Sequence, residues 1–192
     1  MMAHSLPGGR RLTRARVLAL ARAYDRLEGA SGWARQERVV KARLRRRGHR
    51  GPMYLTGADL LRLGEWKTPR IRPLLARNTP GGVRGLSAAA FLTRDEGRRM
   101  RLLLGLSGVG VAVASVLLHF AEPRRYPVYD VRVLAALRRL GVRARFPPTP
   151  AGWVAYVRCL RRLARRLRVS LRALDKALWL VGRREGAARR PG

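Results

Sequence analysis

The stretch "LLLGLSGVGVAVASVLLHFA" occupies residues 102–121 and carries no charge, in a chain otherwise dense with arginine. Its length alone would permit a membrane span, because ~20 apolar residues cross a bilayer as a helix. Gly105, Gly108 and Gly110 argue otherwise. They fall in the middle of the run, where each glycine costs a helix about 1 kcal/mol relative to alanine. The stretch therefore predicts two helices joined by a tight turn, the first ending near Leu104 and the second starting near Gly110. Glu122, Pro123 and Asp130 follow the stretch, which suits a water-exposed domain. The plainest version of this reading is a glycine-rich turn between buried helices, with no ligand.

Composition narrows the partners. The chain has 192 residues and a formal net charge of +32, and all but three of its 43 basic residues are arginine. The lysines are Lys41, Lys67 and Lys176. Polyanions are the natural partners of such a chain, since neutralising phosphates releases their counterions. Anionic membrane is the other class this charge suits. The single cysteine, Cys159, excludes an intramolecular disulfide, a cysteine-ligated zinc site and a four-cysteine iron–sulfur cluster. The apolar "VLALA" at 17–21 is too short for a signal-peptide core, so a cytoplasmic, nucleoid-associated location is expected.

Working outward from the turn, nearly every periodic segment favours helix. Thr13 can cap a first helix ending at Gly29, and a very basic one follows over 33–48. "RGHRGP" (47–52) reads as a linker, and Thr56 with Asp59 as a capping-box start for a helix to about Trp66. Residues 67–82 read as a loop-rich connection, 83–91 as a helix, and Thr93 as the cap of the helix that enters the quoted stretch. Further helices are expected over 131–141 and 151–168, with a last one capped by Ser170. No segment alternates at period two over more than four residues, and there is no internal repeat. The fold class is thus all-α, with seven to nine helices. The expected organisation is a basic N-terminal helical segment (1–50) packed on a main domain (51–183), with a basic tail (184–192). The ends of the chain read as frayed.

An apolar residue followed by G-V-G between two helices is the signature of the helix-hairpin-helix motif. More broadly, "LSGVGVAVASVLLHFAEPRRYPVYDVRVLAAL" resembles the helix-hairpin-helix (HhH-GPD) DNA glycosylase superfamily. Asp130 stands 22 residues after Gly108, the spacing of that superfamily's catalytic aspartate. "YLTGADLLRLGEWKTPR" (54–70) and "LDKALW" (174–179) are similar to features of a group of its small members without an iron–sulfur cluster. The resemblance covers about 54–182 and implies a compact multi-helix domain that binds duplex DNA containing a modified base. It implies hydrolysis of an N-glycosidic bond in base-excision repair. Leu106, Ser107, Gly108, Val109 and Gly110 would form the DNA-binding hairpin, whose glycines let backbone amides approach a phosphate. A monovalent cation held by hairpin backbone carbonyls is the one cofactor considered, and no side chain is assigned to a metal.

Breaking an N-glycosidic bond develops positive charge on the sugar, which a fixed carboxylate can stabilise. Asp130 is the candidate, although an aspartate before a helical run is also a good cap. Bifunctional members carry a lysine two residues after the second hairpin glycine; here that position is Ala112, so activity without strand cleavage is expected. Lys67 in "EWKTPR" is a second catalytic candidate, with a solvated loop lysine as the plainer reading. Arg98, Arg99 and Arg101 precede the hairpin and are candidates for phosphate contact. Trp66, His119, Tyr126 and Tyr129 are candidates for the base pocket or the wedge that fills the vacated stack. Each of the four also suits a core position. Trp153, Trp179 and Cys159 read as packing. A monomer is expected. The alternatives are a helix-hairpin-helix protein that binds DNA without catalysis and, on charge alone, an rRNA-binding protein.

Overall fold

A computed structural model describes residues 12–29, 33–49 and 51–188, with the side chains of 33–36 and 184–188 outside the description. Of the ends expected to fray, 1–11 and 182–192, residues 1–11 and 189–192 lie outside the described residues, whereas 182–188 continue the last helix and are not a frayed tail. Ten α-helices are found among the described residues: α1 (Arg14–Gly29), α2 (Trp33–His49), α3 (Gly57–Lys67), α4 (Arg72–Leu75), α5 (Pro80–Leu92), α6 (Glu96–Leu104), α7 (Val111–Ala121), α8 (Val131–Arg139), α9 (Pro150–Leu167) and α10 (Leu171–Ala188). A single 3₁₀ turn, Pro69–Ile71, precedes α4. The fold is all-α.

The opening stretch is the centre of the molecule. It divides into the end of α6, a turn over 105–110, and α7, in which every residue but Ala112 is buried. A helix apolar on all sides must be enclosed by others. Around α7 stand α2, α3 and α6, while α8, α9 and α10 complete the body and α1 packs on α10. No helix among the described residues is long and apolar enough to cross a membrane. Burying each Leu or Val of α7 contributes about 1.5–3 kcal/mol, which outweighs the modest helix propensity of its β-branched residues.

Caps set most boundaries. Thr13 accepts the Arg16 N–H at 3.2 Å, and Ser170 accepts the Ala173 N–H at 3.1 Å. Thr56 and Asp59 form the expected reciprocal box. Asp95 rather than Thr93 caps α6, because its carboxylate is the side chain that reaches the Arg98 amide. The linker expected from residue 47 begins later, since α2 runs on to His49. The expected loop over 67–82 is also more ordered. It holds the end of α3, the 3₁₀ turn, α4, and the start of α5, where Thr79 accepts the Gly82 N–H behind Pro80.

The basic N-terminal helices share the core of the rest: Val17, Val40 and Leu44 belong to one buried cluster with Leu117 and Leu178. A buried polar network reinforces the join. Glu37 of α2 accepts from Lys41 and, at 3.2 Å, from Arg172 of α10. His119 of α7 lies against the same group, with Nδ1 2.8 Å from the Tyr126 carbonyl and Nε2 3.3 Å from Lys41 Nζ. A carbonyl can only accept, so Nδ1 carries the hydrogen and Nε2 accepts from the lysine. Close packing at Gly182 fixes α10 against α8: a Cβ there would lie 2.0 Å from the Arg132 carbonyl oxygen. Any side chain at 182 would displace the first turn of α8.

Candidate active site and hairpin

The hairpin turn is built from the connection before it as much as from its own residues. Leu106 and Val109 are buried and anchor the turn, and the Val109 N–H donates to the Leu106 carbonyl at 3.1 Å. Gly108 has φ +76°, a left-handed conformation that suits glycine, and packs on α4. A Cβ at 108 would meet Leu74 Cβ at 2.8 Å and the Leu75 amide nitrogen at 3.2 Å. Asn78 clamps the turn from the side. Its amide oxygen accepts the Ser107 N–H at 2.8 Å, and its NH₂ donates to the Ser107 carbonyl at 2.9 Å and the Leu75 carbonyl at 2.9 Å. The carbonyls of Leu102, Leu103 and Leu106 accept turn N–H groups, and that of Ser107 is taken by Asn78.

Gly110 is exposed, is the N-cap of α7, and supplies no side-chain cap. A Cβ there would enter open space. The first-turn amides of α7 thus present the positive end of a helix dipole at the surface, an arrangement that suits an anion.

Asp130 is the N-cap of α8 and uses its two oxygens differently. Oδ1 accepts the Arg132 N–H at 2.8 Å, whereas Oδ2 accepts from Lys67 Nζ at 2.5 Å. The side chains of Lys67 and Asp130 are 14% and 11% exposed, so Lys67 is not a solvated loop residue. It is the last residue of α3, turned toward α8. One carboxylate oxygen thus serves the cap and the other the ion pair.

The pair lines a cavity of about 180 Å³. Trp66, Tyr24 and Trp179 supply its aromatic lining, and Arg172 and Asp175 its polar lining. Tyr24 and Trp179 meet edge to face, with ring centroids 5.3 Å apart, and the Arg132 guanidinium lies 4.8 Å over Trp179. Asp175 is buried. Its Oδ2 accepts from Arg172 at 3.0 Å, while Oδ1 has no hydrogen-bond partner among the described residues. Burial pushes the Asp175 carboxyl up to about 6, against the pull of the Arg172 guanidinium. Burial likewise pushes His119 down to about 4. Burial alone would raise Glu37, yet the Arg172 and Lys41 cations reverse this and hold it well below the usual carboxylate range.

Of the residues singled out in the sequence, Trp66, Lys67 and Asp130 converge on this cavity. His119, Tyr126 and Tyr129 do not. His119 and Tyr126 are fully buried, Tyr126 is stacked on Trp153 at 5.4 Å, and Tyr129 donates its hydroxyl to the Phe146 carbonyl at 2.6 Å. They are core residues, because the helices around α7 close over them. Arg98 and Arg101 are exposed beside the hairpin. Arg99 is not: it is 2% exposed, pairs with Glu122 at the end of α7, and donates to the Thr93 carbonyl at 2.6 Å. It ties the two arms of the hairpin together and is not placed to meet phosphate. Sequence reasoning missed Tyr24, Asp175 and Trp179 in the cavity and Asn78 at the hairpin. Only "LDKALW" carried a signal for the second and third.

Among the described residues, no group of three or more His, Cys, Asp or Glu is placed to hold a metal ion. Comparison with protein-family models, curated proteins and solved structures finds no match for this chain.

Proposed function

We propose that the protein is a DNA N-glycosylase that removes a modified base from duplex DNA by hydrolysis. The observation that carries this reading is Asp130. Its carboxylate is held at a helix start by one oxygen, pairs with Lys67 through the other, and is part of the wall of a small, aromatic-lined cavity. In the proposed reaction the glycosidic C–N bond breaks, water adds to the sugar carbon, and the base leaves with a proton. Asp130 stabilises the positive charge that develops on the sugar and orients the water. Trp66, Trp179 and Tyr24 provide flat surfaces for an extruded base. Asp175, whose Oδ1 has no hydrogen-bond partner among the described residues, can meet that base's polar edge. The hairpin amides and exposed Arg98 and Arg101 would hold the flanking phosphates. Ala112 offers no amine, so the product expected is an intact strand bearing an abasic site.

The test is incubation with duplexes that each carry one modified base, followed by alkali. Breakage at one lesion supports the reading. Tight duplex binding without breakage at any lesion reduces the protein to a DNA-binding module.

A second reading rests on one further observation, the contact between Lys67 and Asp130. An amine in that place could attack the sugar carbon itself, displace the base and form an imine that permits strand cleavage. Borohydride separates the two. A covalent protein–DNA adduct lost in Lys67→Ala assigns the attack to Lys67, whereas no adduct alongside base release leaves water as the nucleophile.

A further inference from the structure

A second cleft, formed by elements other than the hairpin and Asp130, gathers four guanidinium groups around one tyrosine. Arg43, Arg46 and Arg47 come from the end of α2, Tyr54 from the segment after it, and Arg84, Ala88 and Leu92 from α5. The cleft is open, with a volume of about 890 Å³. Arg84 and Arg47 lie over the Tyr54 ring at 4.5 and 4.8 Å. The ring is itself held in place. The Leu55 N–H next to it donates at 2.8 Å to the buried Ser87 hydroxyl of α5, and Arg47 donates at 2.7 Å to the Tyr54 carbonyl.

The charge here is far from balanced. Asp59, buried at 1% exposure, takes Arg47 at 2.7 Å and stands 3.8 Å from Arg43. Among the described residues it is the one carboxylate paired with any of the four, and no acid lines the cleft. Arg46 and Arg84 are exposed. A guanidinium stacked on an aromatic ring keeps its in-plane N–H groups free, and the stack fixes the fork that a phosphate accepts in two-point fashion. Stacking also removes rotamer freedom before the ligand arrives, so less is lost on binding.

From this we infer that the cleft between α2 and α5 is a second phosphate-binding site, one that grips the sugar–phosphate backbone of a nucleic-acid strand. The openness of the cleft and its several forks suit successive phosphates along a strand more than one small anion. The inference shares with the excision reading only the polyanionic ligand, and it stands whether or not a base is removed.

Binding of a fluorescent, undamaged duplex by the full chain tests it without any excision readout. Arg46→Gln/Arg84→Gln is expected to weaken binding about tenfold and to flatten the plot of log affinity against log salt by about two units, one per lost phosphate contact. Arg84→Lys, which keeps the charge but not the planar fork, is expected to lose affinity as well. Arg14→Gln/Arg165→Gln removes equal charge from exposed positions elsewhere and is expected to change binding far less. Equal losses in the two double variants would overturn the site, leaving only bulk charge. So would saturable binding of inorganic triphosphate that depends on Arg46 and Arg84 while duplex affinity stays unchanged, since the ligand would then be a free phosphate. Thermal melting of each variant separates these outcomes from unfolding.

Discussion

Asn78 shows how one side chain outside the hairpin can set its geometry. It satisfies both the N–H and the carbonyl of Ser107, so removing it leaves two backbone groups of the turn without their partner. Asn78→Ala is expected to lower stability by about 1–3 kcal/mol in denaturant unfolding, the cost of stranding such groups. Duplex affinity is expected to fall with it, since the turn that presents the α7 amides is loosened. Nothing in the sequence around 78 pointed there, because a contact across 29 residues leaves no local pattern. The opposite error arose at Arg99. It sits in an arginine-rich run and looked like its neighbours, yet helical periodicity turns Arg99 inward while Arg98 and Arg101 face out. Asp130 was legible because cap and spacing coincide on one residue. Its partner Lys67 stood out only as a lysine among arginines.

At the scale of elements, the α6–turn–α7 unit separates two kinds of glycine. Gly108 is needed for the fold: its positive φ and its contact with Leu74 and Leu75 leave no room for a side chain. Gly108→Ala is therefore expected to destabilise the protein by at least 1 kcal/mol, and lost DNA binding in it would say little about phosphate contact. Gly110 is the informative position, being open and ahead of an uncapped helix. Aspartate is a good N-cap, so Gly110→Asp is expected to hold or raise the melting temperature slightly. It would also place a negative charge where a phosphate would sit, and a loss of duplex affinity of tenfold or more is expected. Parallel melting and binding curves check both halves. The turn was readable because three clustered glycines cannot stay inside one helix. The extra order in 67–82 was not, because prolines spaced through a connection read as loop until α3 and the hairpin enclose them.

Across the whole molecule, the N-terminal helices are part of the same core, so the polar network of Glu37, Lys41, His119, Arg172 and Asp175 couples both ends of the chain to α7. Two of these groups work against each other in pH. His119 is pushed down to about 4, so its contribution to stability is present above its unfolded value of ~6.5 and is lost as pH falls toward 4. Asp175 is pushed up to about 6, so its contribution is present below the ordinary carboxylate value of ~4 and is lost as pH rises toward 6. The slopes partly cancel in the wild type. Asp175→Asn removes one of them, and urea unfolding between pH 6.5 and 4.5 is expected to show stability falling more steeply on acidification than in the wild type. That helices would dominate was plain from periodicity. That α1 and α10 would meet to complete the cavity, with Tyr24 against Trp179, was not, since their sequence separation hides the pairing.

Whether Asp130 acts on a base-bearing sugar from the wall of this cavity is decided by comparing wild type with Asp130→Asn. Asparagine keeps an oxygen for the α8 cap but presents to Lys67 an NH₂ that cannot accept from it, so a small drop in melting temperature is expected while folding and duplex binding survive. The measurement is alkali-revealed strand breakage on the duplex whose lesion the wild type processes. Breakage is expected from the wild type, with base release slower by about a hundredfold or more in Asp130→Asn and lesion-duplex affinity equal or higher. Release by Asp130→Asn at the wild-type rate would remove Asp130 from the chemistry.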